Sequence, residues 1–216
     1  MALVIPMCLV AFSFASCQDD DDDSVSISDD GYEISGKIDG HYYVDLGLSV
    51  KWADRNIGAS SSSDYGDYYA WGETETKDSY TTSNCITYGV EMHDIAADAE
   101  YDAATANWGS KWQMPSKDVL EELVEKCTWV WTSRNSLKGY LVTGPNGNSI
   151  FLPAAGYRSD SISKVGENGR YWSSSPGDEN YDDCHAYYLN FHDDDREVFE
   201  TWCYYGRTVR LVSVSE

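Results

Sequence analysis

The sequence predicts one α+β domain made of short antiparallel strands, two short helices and long loops. Turn signals containing glycine or proline recur from His41 onward, and the segments between them are rich in Tyr, Trp, Val and Ile, as expected of strands. Only two segments carry helical spacing. Few helices among many short strands indicate an irregular, loop-rich α+β architecture.

The first 16 residues, MALVIPMCLVAFSFAS, contain no ionisable side chain and are typical of the apolar region of an export signal. They end in Phe14-Ala15-Ser16-Cys17, which resembles the cleavage box of bacterial lipoproteins, where the cysteine becomes the lipidated first residue. We therefore expect residues 1–16 to be a signal peptide and Cys17 to anchor the protein in a membrane through two or more acyl chains, since one chain holds a protein only marginally. The alternative is an ordinary secretory peptide that is cut nearby.

Residues 17–39 are predicted to form an acidic, flexible tether. They contain nine acidic residues and one basic residue, and five aspartates run from Asp19 to Asp23. Adjacent carboxylates repel one another and stay solvated. The run also resembles the surface-export signal of lipoproteins from Bacteroidetes-type outer membranes. It implies a protein that is anchored in the outer membrane and exposed at the cell surface.

The remaining residues, 40–216, are predicted to form a single domain. One helix starts after Asp102, runs through AATANW and stops at Gly109. A second helix follows Ser116, which is a suitable N-cap, and runs through KDVLEELVEKC with its apolar residues on one face.

Charge and aromatic content exclude two classes of protein. The chain has 216 residues with 37 acidic and 15 basic side chains, a net charge of −22, and 14% of its residues are aromatic. A wholly disordered acidic chain does not carry so many aromatic residues. Nucleic-acid binding requires clustered Lys and Arg, so we expect no nucleic-acid partner. The net charge of the domain also disfavours anionic ligands such as sulfated glycans.

Four cysteines follow Cys17, and they allow three disulfide connectivities. Their spacing along the chain favours one pair. The segments CHAYYLNF (184–191) and REVFETWCYY (196–205) are predicted to form a hairpin around the loop 192–195. Pairing Phe191 with Arg196 places Cys184 opposite Cys203, with Cβ atoms about 4.5–5.5 Å apart. We therefore predict a Cys184–Cys203 disulfide and leave Cys85 and Cys127 as candidates for free thiols.

Six spaced motifs carry a family resemblance: YVDLGLSVKWA (43–53), DYGDYYAWGET (64–74), ANWGSKWQMPS (106–116), GPNGNSIFLPAAGYR (144–158), YWSSS (171–175) and GRTVRLV (206–212). Together they resemble the Fibrobacter succinogenes major paralogous domain family, which is similar to the sulfatase-modifying-factor branch of the C-type-lectin-like fold. The resemblance covers about residues 40–214 and implies that fold. Activity is not implied, because one fold hosts many functions.

The same fold hosts the formylglycine-generating enzymes, whose members carry a close cysteine pair near the C-terminus that binds copper. Here Cys203 is followed by Tyr204, Tyr205, Gly206 and Arg207, without a second cysteine. We therefore expect a non-catalytic binding domain for a glycan or a surface protein. The alternatives are a structural subunit or tip component of a surface assembly, and an oxidase of the formylglycine-generating type.

Aromatic residues are the main signal for a ligand site, because the apolar faces of sugars pack on aromatic rings. Four Tyr-Tyr pairs are present, and within a strand one member points inward and the other outward. In C-type-lectin-like folds the ligand surface is usually built from long loops, which by resemblance places a site in residues 158–183. The candidate ligand-binding residues are Arg170, Tyr171, Trp172, Glu179, Tyr181 and Tyr205.

No metal or cofactor is predicted. Asp193, Asp194 and Asp195 supply the hard oxygen ligands that Ca²⁺ prefers, but three carboxylates at a hairpin tip are more often a solvated turn. Near the C-terminus, Arg210 is expected to pair with a partly buried acid, for which Glu73 is the candidate.

Overall fold

A computed structural model describes residues 26–27, 31, 33–178 and 184–213. The fold is a β-rich α+β domain of mostly antiparallel strands with two α-helices, which confirms the predicted class. The signal peptide, Cys17, Glu179 and Tyr181 lie outside the described residues. Within the described part of the chain, no helix has the length and apolar character needed to cross a membrane.

The first sheet begins before residue 40, inside the segment assigned to the tether. A small pair precedes it, β1 (Ser26–Ile27) with β2 (Glu33–Ile34), and the sheet itself contains β3 (Gly36–Ile38), β4 (His41–Asp45) and β5 (Lys51–Asn56). A Cβ atom at Gly36 would lie 2.6 Å from the Tyr43 hydroxyl, so glycine is needed where the Tyr43 ring crosses β3.

Both helices start and end near the predicted signals. α1 (Ala103–Trp108) is capped by Asp102, whose carboxylate accepts hydrogen bonds from the backbone N–H groups of Ala104 and Thr105, and it ends at Gly109. α2 (Lys117–Lys126) is capped by Ser116, whose hydroxyl accepts from Val119 N at 3.3 Å. Few other regular elements interrupt the long connection between β5 and α2.

The second sheet consists of three consecutive antiparallel strands, β6 (Thr128–Arg134), β7 (Leu137–Thr143) and β8 (Ser149–Pro153). A short pair, β9 (Tyr157–Arg158) and β10 (Ile162–Ser163), follows it.

The third sheet contains β11 (Gly169–Pro176), β12 (His185–His192) and β13 (Asp195–Trp202), and the last strand, β14 (Arg210–Ser213), returns to pair with β5. The β12–β13 hairpin has the predicted register, with Phe191 opposite Arg196. Its turn is shorter than predicted, because His192 and Asp195 also pair and only Asp193 and Asp194 remain between the strands.

The β11–β12 ladder separates two hydrophobic clusters. Trp172 and Tyr188 face the first cluster, which also contains Trp71 and Trp112, whereas Tyr171 and Phe191 face the second. Alternation along the strands sends successive residues to opposite clusters, so both faces of this ladder contact packed side chains. Side chains near the ends of the ladder are then the ones that reach solvent.

Candidate functional site

The three consecutive candidates Arg170, Tyr171 and Trp172 lie on β11, and the structure separates them. Tyr171 faces the second cluster, stacks on Phe191 and donates a hydrogen bond to Pro153 O at 2.6 Å. Trp172 is fully buried in the first cluster and donates through Nε1 to Tyr69 O at 2.8 Å. Tyr171 is therefore a core residue rather than a ligand contact, because its hydroxyl is already bonded inside the protein.

Arg170 points to the same face as Trp172 and is half-buried. Its guanidinium carbon lies 4.3 Å from the centroid of the Tyr157 ring, a cation–π contact. Its Cα partner across the ladder is Asn190, so the two side chains lie on one face. Arg170 Nε and Asn190 Oδ1 are both buried and have no hydrogen-bond partner.

Arg207 lies beneath this face and is only 1% exposed. Its guanidinium carbon is 3.7 Å from the centroid of Tyr188 and 4.7 Å from that of Trp172. Nε and Nη1 of Arg207 have no hydrogen-bond partner. Burial, which disfavours the charged form, lowers the pKa of Arg207 to about 9.

Tyr205 completes the set from the segment between β13 and β14. Its ring centroid is 5.6 Å from that of Tyr157 in an edge-to-face arrangement and 5.8 Å from the Arg207 guanidinium carbon. Tyr205 is half-buried. It thus connects the half-buried Arg170–Tyr157 pair with the buried Arg207.

We call this group the arginine–tyrosine site. It contains six residues from four parts of the chain: Tyr157, Arg170, Tyr188, Asn190, Tyr205 and Arg207. Within the described residues, nine buried side-chain nitrogen or oxygen atoms have no partner, and four of them belong to this site. Buried polar groups are normally paired, so such a concentration suggests that a molecule from outside the chain completes their hydrogen bonds.

The site offers a defined chemistry. Two guanidinium groups supply positive charge and fixed N–H donors, and Asn190 supplies an acceptor. Half-buried tyrosine rings border these groups, and Phe199, directly opposite Tyr188 on β13, is 44% exposed. The arrangement suits a ligand that combines polar or anionic groups with an apolar surface.

Of the six candidates predicted from the sequence, two belong to the site. Arg170 and Tyr205 lie in it, the Trp172 ring packs against the Arg207 guanidinium, and Tyr171 faces the second cluster. Glu179 and Tyr181 lie outside the described residues. Sequence reasoning missed Tyr157, Tyr188, Asn190 and Arg207. The pairing of Asn190 with Arg170 depends on the β11–β12 register, which the hairpin pattern does not determine.

The predicted inward–outward alternation of the tyrosine pairs is correct for Tyr187 and Tyr188, of which only Tyr188 is buried. It does not apply to Tyr68 and Tyr69, which lie outside the strands and are 7% and 3% exposed. Burial raises the pKa of Tyr68 to about 12. The reason is a second layer: Tyr68 donates to Ala155 O at 2.6 Å, and Tyr69 pairs through its backbone with Arg207.

The acidic hairpin tip differs from the predicted calcium candidate. The ligand atoms that come within 4.8 Å of one another belong to His192, Asp193 and Asp194, not to the three aspartates. Asp195 starts β13, and its carboxylate accepts a hydrogen bond from Arg196 N. Both turn aspartates are exposed, which is typical of a solvated turn.

The predicted cysteine pair is present, and a third cysteine lies beside it. Cys184 and Cys203 form a disulfide with a Cα–Cα distance of 5.5 Å, as the register requires. Cys85 and Cys127 are free and buried. Cys85 is not isolated, because its sulfur lies 3.7 Å from Cys203 Sγ.

The expected ion pair between Arg210 and Glu73 is wrong. Glu73 pairs with Lys77, and one of its carboxylate oxygens accepts from Ile86 N. Arg210 instead donates to Asn56 Oδ1 and to the carbonyl oxygens of Ala53, Asp54 and Phe151. The chain folds three carbonyl groups around Arg210, which a pairing rule based on charge does not anticipate.

Fold and site together define the class of the protein: a β-rich α+β domain with a buried, cationic and aromatic site between its third sheet and the segment before β14. No protein-family model matches the chain, and searches of curated proteins and of solved structures return no match either.

Proposed function

We propose that the protein is a lipid-anchored cell-surface protein whose single domain, of the C-type-lectin-like fold, binds a glycan or a protein ligand through the arginine–tyrosine site and catalyses no reaction itself. The proposed cell-surface location is supported by the lipoprotein-like segment that ends in Cys17 and by the aspartates that follow it. The fold is supported by the six spaced motifs and by the β-rich α+β architecture.

The observation that carries the binding role is the set of unpartnered buried atoms on Arg170, Asn190 and Arg207. Leaving a buried donor or acceptor unpaired costs about 1–3 kcal/mol, and more for charged groups. Proteins keep such groups where a ligand completes them, or where strain serves a function.

The aromatic rings at the site favour a glycan within this proposal. Tyr157 and Tyr205 present half-buried rings in edge-to-face contact, and the guanidinium of Arg170 lies over the Tyr157 ring. Sugars have apolar C–H faces that pack on aromatic rings and hydroxyl groups that require polar partners. A site that offers both fits a saccharide unit well.

A glycan array tests the binding role. The chain should start at Gln18, so that the acylated cysteine is removed while every described residue is kept. We expect binding to at least one glycan class, and at least a tenfold loss in Arg170→Met and in Tyr205→Ala. Arg134→Met is the matched control, because Arg134 is also half-buried but ends β6 in a different sheet.

The array outcomes are distinct. If no glycan binds but a surface protein is captured with the same dependence on Arg170 and Tyr205, the ligand is a protein. If neither type of partner binds, or if both variants bind as well as the unchanged chain, the proposed site is wrong.

The anchor is tested separately. In cells, Cys17→Ser should move the protein from the membrane fraction to the soluble fraction, because the acyl chains provide the membrane affinity. Ser16→Gly is the control, since it keeps a small residue before the cysteine. Mass spectrometry that finds unmodified Cys17 in membrane-bound protein would contradict the proposal.

A further inference from the structure

The arginine–tyrosine site holds two positive charges, on Arg170 and Arg207. Among the described residues, no acidic side chain forms an ion pair with Arg170 or Arg207. Their contacts are instead with the faces of Tyr157, Tyr188 and Trp172. An uncompensated charge inside a protein is costly, and a counter-charge that arrives with a ligand offsets that cost.

Both guanidinium groups lie against the same face of the β11–β12 ladder. Arg170 and the rings under Arg207 belong to one face of the β11–β12 ladder, since Arg170 and Trp172 alternate with Tyr171. The positive charge of Arg170 is one of the causes that lower the pKa of Arg207. Electrostatic attraction between charges strengthens as water is excluded, so an anion held beside these groups would be strongly attracted.

We infer that the ligand carries a carboxylate group on a sugar ring, so that the site recognises an acidic glycan. This inference rests on the proposed binding function and names the class of ligand. A carboxylate matches the paired N–H groups of a guanidinium in a bidentate contact. The hydroxyl groups next to the carboxylate on the ring supply the donor that Asn190 Oδ1 lacks.

The acceptor on Asn190 distinguishes an acidic sugar from an isolated anion. A sulfate or phosphate group offers only acceptors when fully ionised, so it leaves Asn190 Oδ1 without a donor. A uronic acid carries a hydroxyl group on the ring carbon next to the one that bears the carboxylate, so it offers acceptors and a donor side by side. The tyrosine rings at Tyr157 and Tyr205 then contact its C–H face.

The net negative charge of the domain does not prevent this. At physiological ionic strength the Debye length is about 8 Å, so distant surface carboxylates are screened, whereas charges in the site are not. The nearest acid in register is Glu197, which is exposed and lies directly opposite Asn190 on β13. Its negative charge repels a carboxylated ligand, so removing that charge should strengthen binding.

The test compares matched glycans. Oligosaccharides that contain galacturonic acid, glucuronic acid or N-acetylneuraminic acid are arrayed beside the same oligosaccharides with their carboxyl groups reduced to alcohols. The chain from Gln18 onward should bind at least one acidic member, and reduction should weaken that binding at least tenfold, since hydrogen bonds to charged groups are among the strong ones.

Variants test whether the preference for acidic glycans arises at the arginine–tyrosine site. Arg170→Met and Arg207→Met should each remove most of the preference for the acidic form, and Glu197→Gln should strengthen acidic binding a few-fold without changing binding of the reduced form. Circular dichroism checks folding. If Arg207→Met fails to fold, Arg170→Met and Glu197→Gln still decide, because Arg170 is half-buried and Glu197 is exposed.

Each outcome has a separate meaning. Equal binding of acidic and reduced glycans would overturn the inference and leave the proposed function standing. A preference for acidic forms that persists in both arginine variants would overturn the assignment to this site. Binding of acidic peptides in place of glycans would overturn the ligand class. Absence of every ligand would overturn the proposed function together with the inference.

A second inference rests on the cysteine cluster. Cys85 Sγ lies 3.7 Å from Cys203 Sγ, and the Thr87 hydroxyl oxygen lies 3.4 Å from Cys85 Sγ and 3.8 Å from Cys184 Sγ. All three cysteines are buried. Cys203 therefore has two cysteine neighbours within the domain core.

We propose that the Cys203 disulfide exchanges between Cys184 and Cys85. Burial raises the pKa of the Cys85 thiol, so the attacking thiolate is a minor species; it attacks Cys203 Sγ, the Cys85–Cys203 bond forms, and the Cys184–Cys203 bond breaks. The electron pair leaves with Cys184 Sγ, which takes up the proton that Cys85 released, with Thr87 between the two sulfurs. No external oxidant is consumed, because one disulfide replaces another.

Peptide mapping of acid-quenched, alkylated protein tests the exchange. The unchanged chain should contain a minor Cys85–Cys203 species, and Cys184→Ser expressed in an oxidising compartment should contain Cys85–Cys203 as its disulfide. Cys127→Ser is the control, since Cys127 belongs to the second cluster. A folded Cys184→Ser protein in which Cys85 and Cys203 both remain alkylatable would overturn the proposal.

Discussion

Two buried arginines lie three residues apart near the C-terminus, and their surroundings are opposite. Arg207 and Arg210 are each 1% exposed. Arg210 donates to Asn56 Oδ1 at 2.8 Å, to Phe151 O at 2.8 Å, and to the carbonyl oxygens of two residues in β5. Arg207 lies between aromatic rings with two of its nitrogens unpartnered.

The difference is the one expected between a structural role for Arg210 and the proposed binding role for Arg207. Arg210 connects β14, β5 and β8 through hydrogen bonds, so its charge is distributed over fixed carbonyl dipoles. Arg207 contacts the faces of Tyr188 and Trp172 and hydrogen-bonds to Tyr188, while its Nε and Nη1 donors have no partner. Equal burial therefore does not indicate equal function, and the state of the hydrogen bonds decides between the two roles.

The largest expected effect comes from Arg210→Met. The substitution leaves several buried carbonyl oxygens and Asn56 Oδ1 without donors, each at a cost of about 1–3 kcal/mol, so the free energy of unfolding should fall by about 3 kcal/mol or more. Urea denaturation measures it. A loss below about 1 kcal/mol would show that the carbonyl network contributes little.

A smaller effect is expected on the free energy of unfolding at alkaline pH, through Tyr171, which contacts the Arg210 network at Asn56. Burial raises the pKa of Tyr171, whose hydroxyl also accepts from Asn56 Nδ2. Unfolded tyrosine ionises near pH 10. The contribution of Tyr171 to the free energy of unfolding is therefore complete below pH 10. Above pH 10 it is lost by about 1.4 kcal/mol for each pH unit.

Urea midpoints at pH 9, 10 and 11 test this, with Tyr171→Phe as the comparison. The variant should show a shallower decline above pH 10, because it has no hydroxyl to ionise. An unchanged slope would place the ionisation of Tyr171 at its ordinary pH and contradict its burial beside Pro153.

Arg207→Met should change stability much less. Replacing a buried charge by an apolar side chain of similar length is often neutral or stabilising, so we expect a change within about 1 kcal/mol or a gain. Binding of the glycan should nevertheless be lost. A destabilisation as large as that of Arg210→Met would remove the contrast between the two arginines.

The smallest expected effect is on the pH dependence of binding. Because burial lowers the pKa of Arg207 to about 9, its positive charge should decline between pH 8 and pH 9.5, and the affinity for a carboxylated glycan should fall a few-fold over that range. Tyr188, Tyr205 and Arg170 are the titratable groups that face it. Titration calorimetry of the unchanged chain measures the fall, and an affinity that stays constant up to pH 9.5 would contradict it.

Local features of the fold could be predicted from the sequence. Asp102 and Ser116 cap α1 and α2 because a helix start needs side-chain acceptors, and these signals lie within a few residues. The register of the β12–β13 hairpin follows from the distance between its strands along the chain, and with it the Cys184–Cys203 pair.

Non-local features could not be predicted in the same way. Whether Tyr68 is buried depends on Ala155, which is 87 residues away, and Cys85 meets Cys203 over 118 residues. The partners of Arg210 are carbonyl groups, which every residue carries, so no side-chain pattern identifies them. For the site, composition indicated aromatic residues and the family resemblance indicated the loop region that contains Arg170, but neither indicated the set around it.

By itself, the sequence determined the α+β class, the two helices, the hairpin register and its disulfide, because caps, turns and strand alternation act over short separations. Only the tertiary structure decided which arginine is satisfied and which is not. Desolvation and hydrogen-bond pairing depend on everything that packs around a group, and for Arg207 and Arg210 those neighbours come from distant strands.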